Sequence, residues 1–328
     1  MIKFILGPRD ELTADVARFV AKANCAIQVR ELAEAAGPFE PPAISRLAKS
    51  LPSRGKAFTS EARSRLRSAW QHELAARVHA FVGDPTVLRI GSHALPVTAY
   101  YALFNGFRAW AQVQGIHADR HTQLQRTFST QFASSLPLPW GARLNGDPAS
   151  AASCTLERVG LLPPPLPTVN PVAYTRHSTE EMLLATLRMA RKWMLDTQRE
   201  RWLANNKTKQ GIPRKKLPAG ARAKLVAKLW PTTLLDFVYG MRVRSNYQQI
   251  DEYVSEAKDW NYSDFHRGMA FIVHSGLLMA ETHLAALVGL DDLEREATSW
   301  ADSVSAGGEW ATRPVLQRIE AIATYGAW

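Results

Sequence analysis

The chain has 328 residues, 46% of them hydrophobic and 21% charged, and carries a formal net charge of +10. That length supports one large or two modest domains with a proper core, and the composition is that of a soluble globular protein. The only cysteines, Cys25 and Cys154, lack CxxC spacing, which argues against a disulfide framework or a zinc knuckle and fits a reducing cytoplasm.

Residues 1–6 are apolar, but Pro8, Arg9, Asp10 and Glu11 follow at once, so no secretory signal is expected. No membrane span is expected either, because the longest apolar segments contain Arg, Asn, Gln or His. Residues 2–6 read as a short strand or as packing for the first helix. That helix runs from Asp10 through Leu12, Val16, Phe19, Val20, Ala23 and Ile27, and ends by Gly37-Pro38. Residues 37–58 read as a connection. Thr59 or Ser60 then starts a helix carrying Leu66, Trp70, Leu74, Val78 and Phe81, closed by Gly83-Asp84-Pro85. Its other face shows Arg63, Arg65, Arg67 and Arg77.

Pro96 suits the first turn of the next helix. Residues 97–114, VTAYYALFNGFRAWAQVQ, are apolar on nearly every side, which predicts a central helix, with Gly106 allowing a close crossing. A helix over 121–132 follows, with Leu124, Phe128 and Phe132 on one face. His117 and His121 are four apart and flank Asp119, but no further ligand of suitable spacing is near, so no metal site is assigned. Residues 135–175 hold eight prolines, from Pro137 to Pro171, and predict an extended surface connection without helix or strand. Ser178 and Glu181 form a capping box for a long helix through Leu183, Leu187, Ala190, Met194 and Trp202.

The charge is concentrated. Between 199 and 228 stand Arg199, Arg201, Lys207, Lys209, Arg214, Lys215, Lys216, Arg222, Lys224 and Lys228 against Glu200 alone, a net nine positive charges. Such a segment suits a phosphate backbone, or it is a solvated basic loop. A short helix over 221–229 is predicted inside it. Trp202 and Trp230 flank the loop and could stack on bases.

Residues 232–254 read as a helix that turns polar, with Arg242 and Asn246 four apart on one face and Tyr247 and Arg244 beside them. This pattern places a polar site at the mouth of a helical bundle, or marks a helix leaving the core. The helix over 265–287 is strongly apolar, with Arg267, His274 and Glu281 on one stripe. Weaker helices over 291–304 and 314–325 end the sequence. It contains no repeat, heptad run or Gly-rich phosphate loop, so no cofactor is assigned.

Residues 97–109, with paired Tyr100-Tyr101 followed by Phe104, Phe107, Arg108 and Ala109, resemble the first helix of the HEPN superfamily (higher eukaryotes and prokaryotes nucleotide-binding domains). Residues 121–132 resemble its second helix, 240–247 the start of its third and 265–287 its fourth, together roughly a third of the chain. The resemblance implies a mainly α protein built on an antiparallel bundle, 96–135 plus 232–290. An N-terminal helical extension (1–95), a proline-rich connection with a basic helical insertion (136–231) and C-terminal helices (291–328) would surround it. It further implies nucleic-acid binding, RNA before DNA, in bacterial conflict or phage-defence systems, often as a homodimer. Lys207, Lys209, Arg214, Lys215, Lys216, Arg222, Lys224 and Arg244 would hold phosphates.

Many HEPN members are metal-independent ribonucleases. In these an Arg steadies the phosphorane charge and a His about five residues later moves the proton. The family's Arg falls on Arg242, with Asn246 nearby, but its His position is Tyr247, whose phenol titrates near 10. Binding is therefore expected first. Cleavage is the alternative, using a non-local histidine such as His266 or His274, and a pure protein-interaction module is a third reading.

Overall fold

The computed structural model describes residues 26, 27, 30, 47, 48, 55–158, 179–206, 214–218, 220–248 and 262–326. The expected strand over 2–6, most of the first helix, the Ser178 cap, Lys207 and Lys209 lie outside them. The described residues are mainly helical, as the sequence predicts. They form α1 (Ser60–Val82), α2 (Pro85–Gly91), α3 (Leu95–Val113), α4 (His121–Thr127), β1 (Ala142–Gly146), β2 (Cys154–Arg158), α5 (Thr179–Asn205), α6 (Ala221–Lys228), α7 (Leu234–Val243), α8 (Tyr262–Val288), α9 (Leu290–Val304) and α10 (Glu309–Tyr325).

The predicted central helix is α3, buried at fourteen of its nineteen positions. It packs against α1, α7 and α8. Two glycines set its crossing with α8 reciprocally. A Cβ on Gly106 would lie 2.6 Å from Leu277 Cδ2, and one on Gly276 would lie 2.3 Å from Leu103 Cδ2 and 2.6 Å from Trp140 Cζ2. Each helix thus offers a backbone hollow to the other's leucine. One apolar core takes Leu66 and Trp70 from α1, Trp300 from α9 and Ile319 from α10 together with α3, α7 and α8. Segments read from sequence as extension, bundle and C-terminal helices therefore meet in a single core.

Helix boundaries follow local chemistry. The Thr59 hydroxyl accepts from the Ala62 amide at 3.2 Å at the start of α1, and Gly83 closes it with φ of 72°. Helix α2 has no counterpart among the expected elements, although Asp84 caps it through the Thr86 and Val87 amides and Pro85 sits in its first turn. In α10, Pro314 lies inside the helix rather than at its start, because the helix begins at Glu309.

One expectation is corrected here. Residues 135–175 were read as free of strands, yet β1 and β2 pair antiparallel, Leu144 opposite Leu156. Ala142 and Leu144 point inward onto Leu183 and Leu187 of α5, an alternation too short to register among the prolines. The hairpin is fastened by buried Arg191, which donates to the carbonyls of Gly146 (2.6 Å), Leu144 (3.2 Å) and Trp230 (3.0 Å) and to the Thr232 hydroxyl (3.0 Å). Helix α8 is long and apolar enough by composition to cross a bilayer. Its apolar window is 89% buried inside the protein, where neighbouring helices cover it.

Candidate functional site

Arg242, at the C-terminal end of α7, is only 7% exposed. Its guanidinium carbon lies 5.1 Å from the Tyr101 ring centre, 5.6 Å from Tyr100 and 5.8 Å from Tyr239. Nη2 donates to the Tyr101 hydroxyl at 2.9 Å. The paired tyrosines of α3 thus supply two faces of a cation-binding cage, and Tyr239, one turn before Arg242, supplies a third.

His121, the first residue of α4, completes this cluster. Its ring centre is 4.6 Å from Phe104, 5.4 Å from Tyr100 and 5.8 Å from Tyr239, and its Nδ1 lies 3.0 Å from the Tyr100 hydroxyl. Burial and then the Arg242 charge hold the imidazole below its usual pKa, so it is neutral at pH 7. Burial raises the Tyr100 phenol well above its ordinary value. The phenol stays protonated and shares one hydrogen bond with Nδ1 of the neutral imidazole. His72 of α1 stacks on the outer side of Tyr101, centres 5.4 Å apart.

The helix carrying Arg242 does not continue as a regular α-helix. Arg244–Gln248 widens into a π-helix. The wider turn breaks the four-residue phase, so Arg242 is buried while Asn246 is exposed, and the two do not share a face as the sequence spacing predicts. Tyr247 belongs to the same π-turn, and its side chain lies outside the described residues. Arg244 places its guanidinium 4.5 Å from the Trp193 ring centre on α5.

The two histidines proposed as distant partners of Arg242 are engaged elsewhere. His266 is 1% exposed, with Nε2 2.9 Å from the Leu88 carbonyl and 3.2 Å from the Ser92 hydroxyl, both next to or within α2. His274 accepts at Nδ1 from Arg318 Nη1 at 2.9 Å and from Arg77 Nη2 at 3.3 Å. It borders a buried charge network in which Arg318 bridges Glu73 and Glu281. Arg267 is exposed and lies 3.5 Å from Asp264. His121, which the sequence reading considered only as a metal ligand, is the imidazole that joins Arg242. Its partners, His117 and Asp119, go elsewhere: His117 is exposed and Asp119 pairs with Arg108. Among the described residues no group of three His, Cys, Asp or Glu could hold a metal ion.

The basic segment forms a second region. Helices α5 and α6 pack through Leu195, Leu225 and Leu229, with Trp202 and Val226 against them. That small apolar seam leaves Lys192, Arg199, Arg201, Arg214, Lys215, Lys216, Lys224 and Lys228 exposed. Arg222 is exposed but grips Asp147 of the hairpin end through two bonds of 2.9 and 2.6 Å. Trp202 and Trp230 are both half-buried; Trp202 packs in the seam, and Trp230 donates to buried Asp236 at 3.1 Å.

Fold and site define a mainly α-helical protein with a largely buried Arg–Tyr–His cluster and a separate exposed basic face. Comparison with protein-family models found no match, and comparisons with curated proteins and solved structures found no significant similarity.

Proposed function

We propose that this protein binds nucleic acid, RNA in preference to DNA. The observation that carries the reading is the exposed basic face of α5, α6 and the 214–216 turn, beneath which Leu195, Leu225 and Leu229 are turned into the seam. A face of this kind attracts a polyanion and releases its counterions. The preference for RNA rests on the resemblance of the α3, α4, α7 and α8 sequences to HEPN domains.

A second reading, a metal-independent endoribonuclease, is favoured by one specific observation. His121 stands in the Arg242 cage as a neutral imidazole hydrogen-bonded to the Tyr100 phenol. In that role Arg242 would stabilise charge on a pentavalent phosphorus, and neutral His121 would take the proton of the attacking ribose 2′-hydroxyl, the imidazolium so formed returning it to the departing 5′-oxygen.

The test is to incubate the protein with single-stranded RNA in EDTA, scoring binding and cleavage together. The comparison variants are Arg242→Ala, His121→Ala and a fourfold neutralisation of Arg214, Lys215, Lys216 and Lys224. Salt-dependent binding should weaken in the fourfold variant, with the slope of log K against log salt reduced by about three. Cleavage lost in both Arg242→Ala and His121→Ala would establish the second reading. Wild-type binding that ignores salt and survives the fourfold change would refute the first.

A further inference from the structure

A cleft of about 510 Å³ opens on another part of the bundle, lined by Arg30, Arg77 of α1, Arg267, Ala270, Phe271 and His274 of α8, and Pro314 and Gln317 of α10. Its volume falls within the range of roughly 300–1,000 Å³ usual for small-molecule sites. The lining holds three guanidinium groups and no carboxylate.

The acids behind this wall are already engaged. Glu73 accepts from Arg318 at 2.8 Å through each oxygen and from Arg77 at 3.1 Å, while Glu281 takes Arg318 and the Trp70 indole. Asp264 forms ion pairs with Arg267 at 3.5 Å and with Arg30 at 3.8 Å. Arg77 is held in place by Glu73 and His274 through Nη2, and its Nε has no hydrogen-bond partner among the described residues. His274 must accept at Nδ1, because both guanidinium neighbours can only donate, so it is a neutral ring with its proton on Nε2. The wall therefore offers one guanidinium, Arg77, fixed by the buried Glu73, and a second, Arg267, exposed at the rim beside Asp264 and Ser263, while Phe271, Ala270 and Pro314 add apolar surface.

We propose that this cleft binds a small phosphomonoester carrying a planar group, of the nucleoside monophosphate class. Arg77 and Arg267 hold the phosphate, and the Phe271–Pro314 side receives the planar group. Guanidinium forks suit phosphate oxygens, and partial exclusion of water strengthens the contact. This inference is independent of the RNA-binding reading, which uses other residues.

Calorimetric titration of the whole protein with adenosine 5′-monophosphate, inorganic phosphate and adenosine tests it. The 5′-monophosphate should bind saturably and more tightly than inorganic phosphate, and adenosine should bind least. Arg267→Glu lies on a side chain 63% exposed, so it keeps the fold and should weaken binding about tenfold or more. Arg77→Gln should weaken it likewise, with circular dichroism to verify folding, and Arg242→Ala should leave it unchanged. Absence of saturable binding, inorganic phosphate binding as tightly as the nucleotide, or an unaltered Arg267→Glu variant would each overturn the assignment.

Discussion

The Arg242 guanidinium and the Tyr101 hydroxyl meet at 2.9 Å and tie α7 to α3 inside a ring of phenols. Tyr101→Phe keeps the ring beneath the cation and removes its acceptor. It should lower the unfolding free energy by about 1 kcal/mol in urea titrations. An unchanged midpoint would mean that this bond adds nothing to the folded state.

Arg242 also acts on His121 through space, being the second cause, after burial, of its lowered pKa. Arg242→Lys keeps the charge and should leave the His121 titration low. Arg242→Met should move it upward, toward the usual value near 6.5. Proton NMR of the histidine ring resonances reads this directly. A titration identical in all three proteins would remove the electrostatic link that the site depends on.

Arg318, 1% exposed, is the shared partner of Glu73 and Glu281. The two bonds from Arg318 to Glu73, with Arg77 beside it, hold that carboxyl far below the usual carboxylate range, although burial opposes ionisation. Arg318→Met strands two buried carboxylates and should cost about 3–5 kcal/mol. Adding Glu73→Gln and Glu281→Gln in the same chain should recover much of that loss. Denaturant unfolding of the single and triple variants decides it, and a triple variant no more stable than the single would contradict the pairing.

Burial holds His266, His274 and His283 each down at about 4. Their folded pKa values lie below that of the unfolded chain, so the stability they contribute is complete above about 6.5 and is lost as pH falls toward 4. Asp236, pushed up to about 6 by burial, works in the opposite sense and loses its contribution as pH rises through 6. The histidines outnumber it, so stability should fall on acidification between pH 6.5 and 4. His283 is 2% exposed and donates from Nδ1 to the Met279 carbonyl at 2.7 Å. His283→Gln should flatten the slope by up to about 1.4 kcal/mol per pH unit. Equal slopes for the two proteins would show that His283 does not titrate in this way.

Gly276 and Gly106 provide a graded test of the α3–α8 crossing. Gly276→Ala presses on both Leu103 and the indole of Trp140, whereas Gly106→Ala meets one flexible leucine end. Overpacking of this kind costs about 1–3 kcal/mol, with Gly276→Ala at the upper end and Gly106→Ala at the lower. Thermal unfolding of the pair would show the order, and a reversed order would mean that Trp140 moves more readily than Leu277.

Most of the longer helices, the Thr59 cap, the central place of α3 and the crossing at Gly106 were legible in the sequence. Each depends on residues close in the chain: a capping hydroxyl, an apolar run with no wet face, a small residue within it. The location of charge between 199 and 228 was equally plain, because charge is a property of composition. The β1–β2 hairpin was not legible. Its stability comes from docking Ala142 and Leu144 on α5 and from the Arg191 bonds, which span about forty residues of chain.

The sequence by itself also singled out Arg242 and the Tyr100–Tyr101 pair, since their types and local spacing carry the HEPN resemblance. Only the tertiary structure decided which imidazole stands beside Arg242. The π-turn at Arg244–Gln248 rotates Asn246 away, α2 occupies His266 and the Arg318 network occupies His274, leaving His121 of α4 in the cage. Side chains more than a hundred positions apart meet because helix packing, driven by the burial of α3 and α8, brings them together, and no local periodicity encodes that meeting.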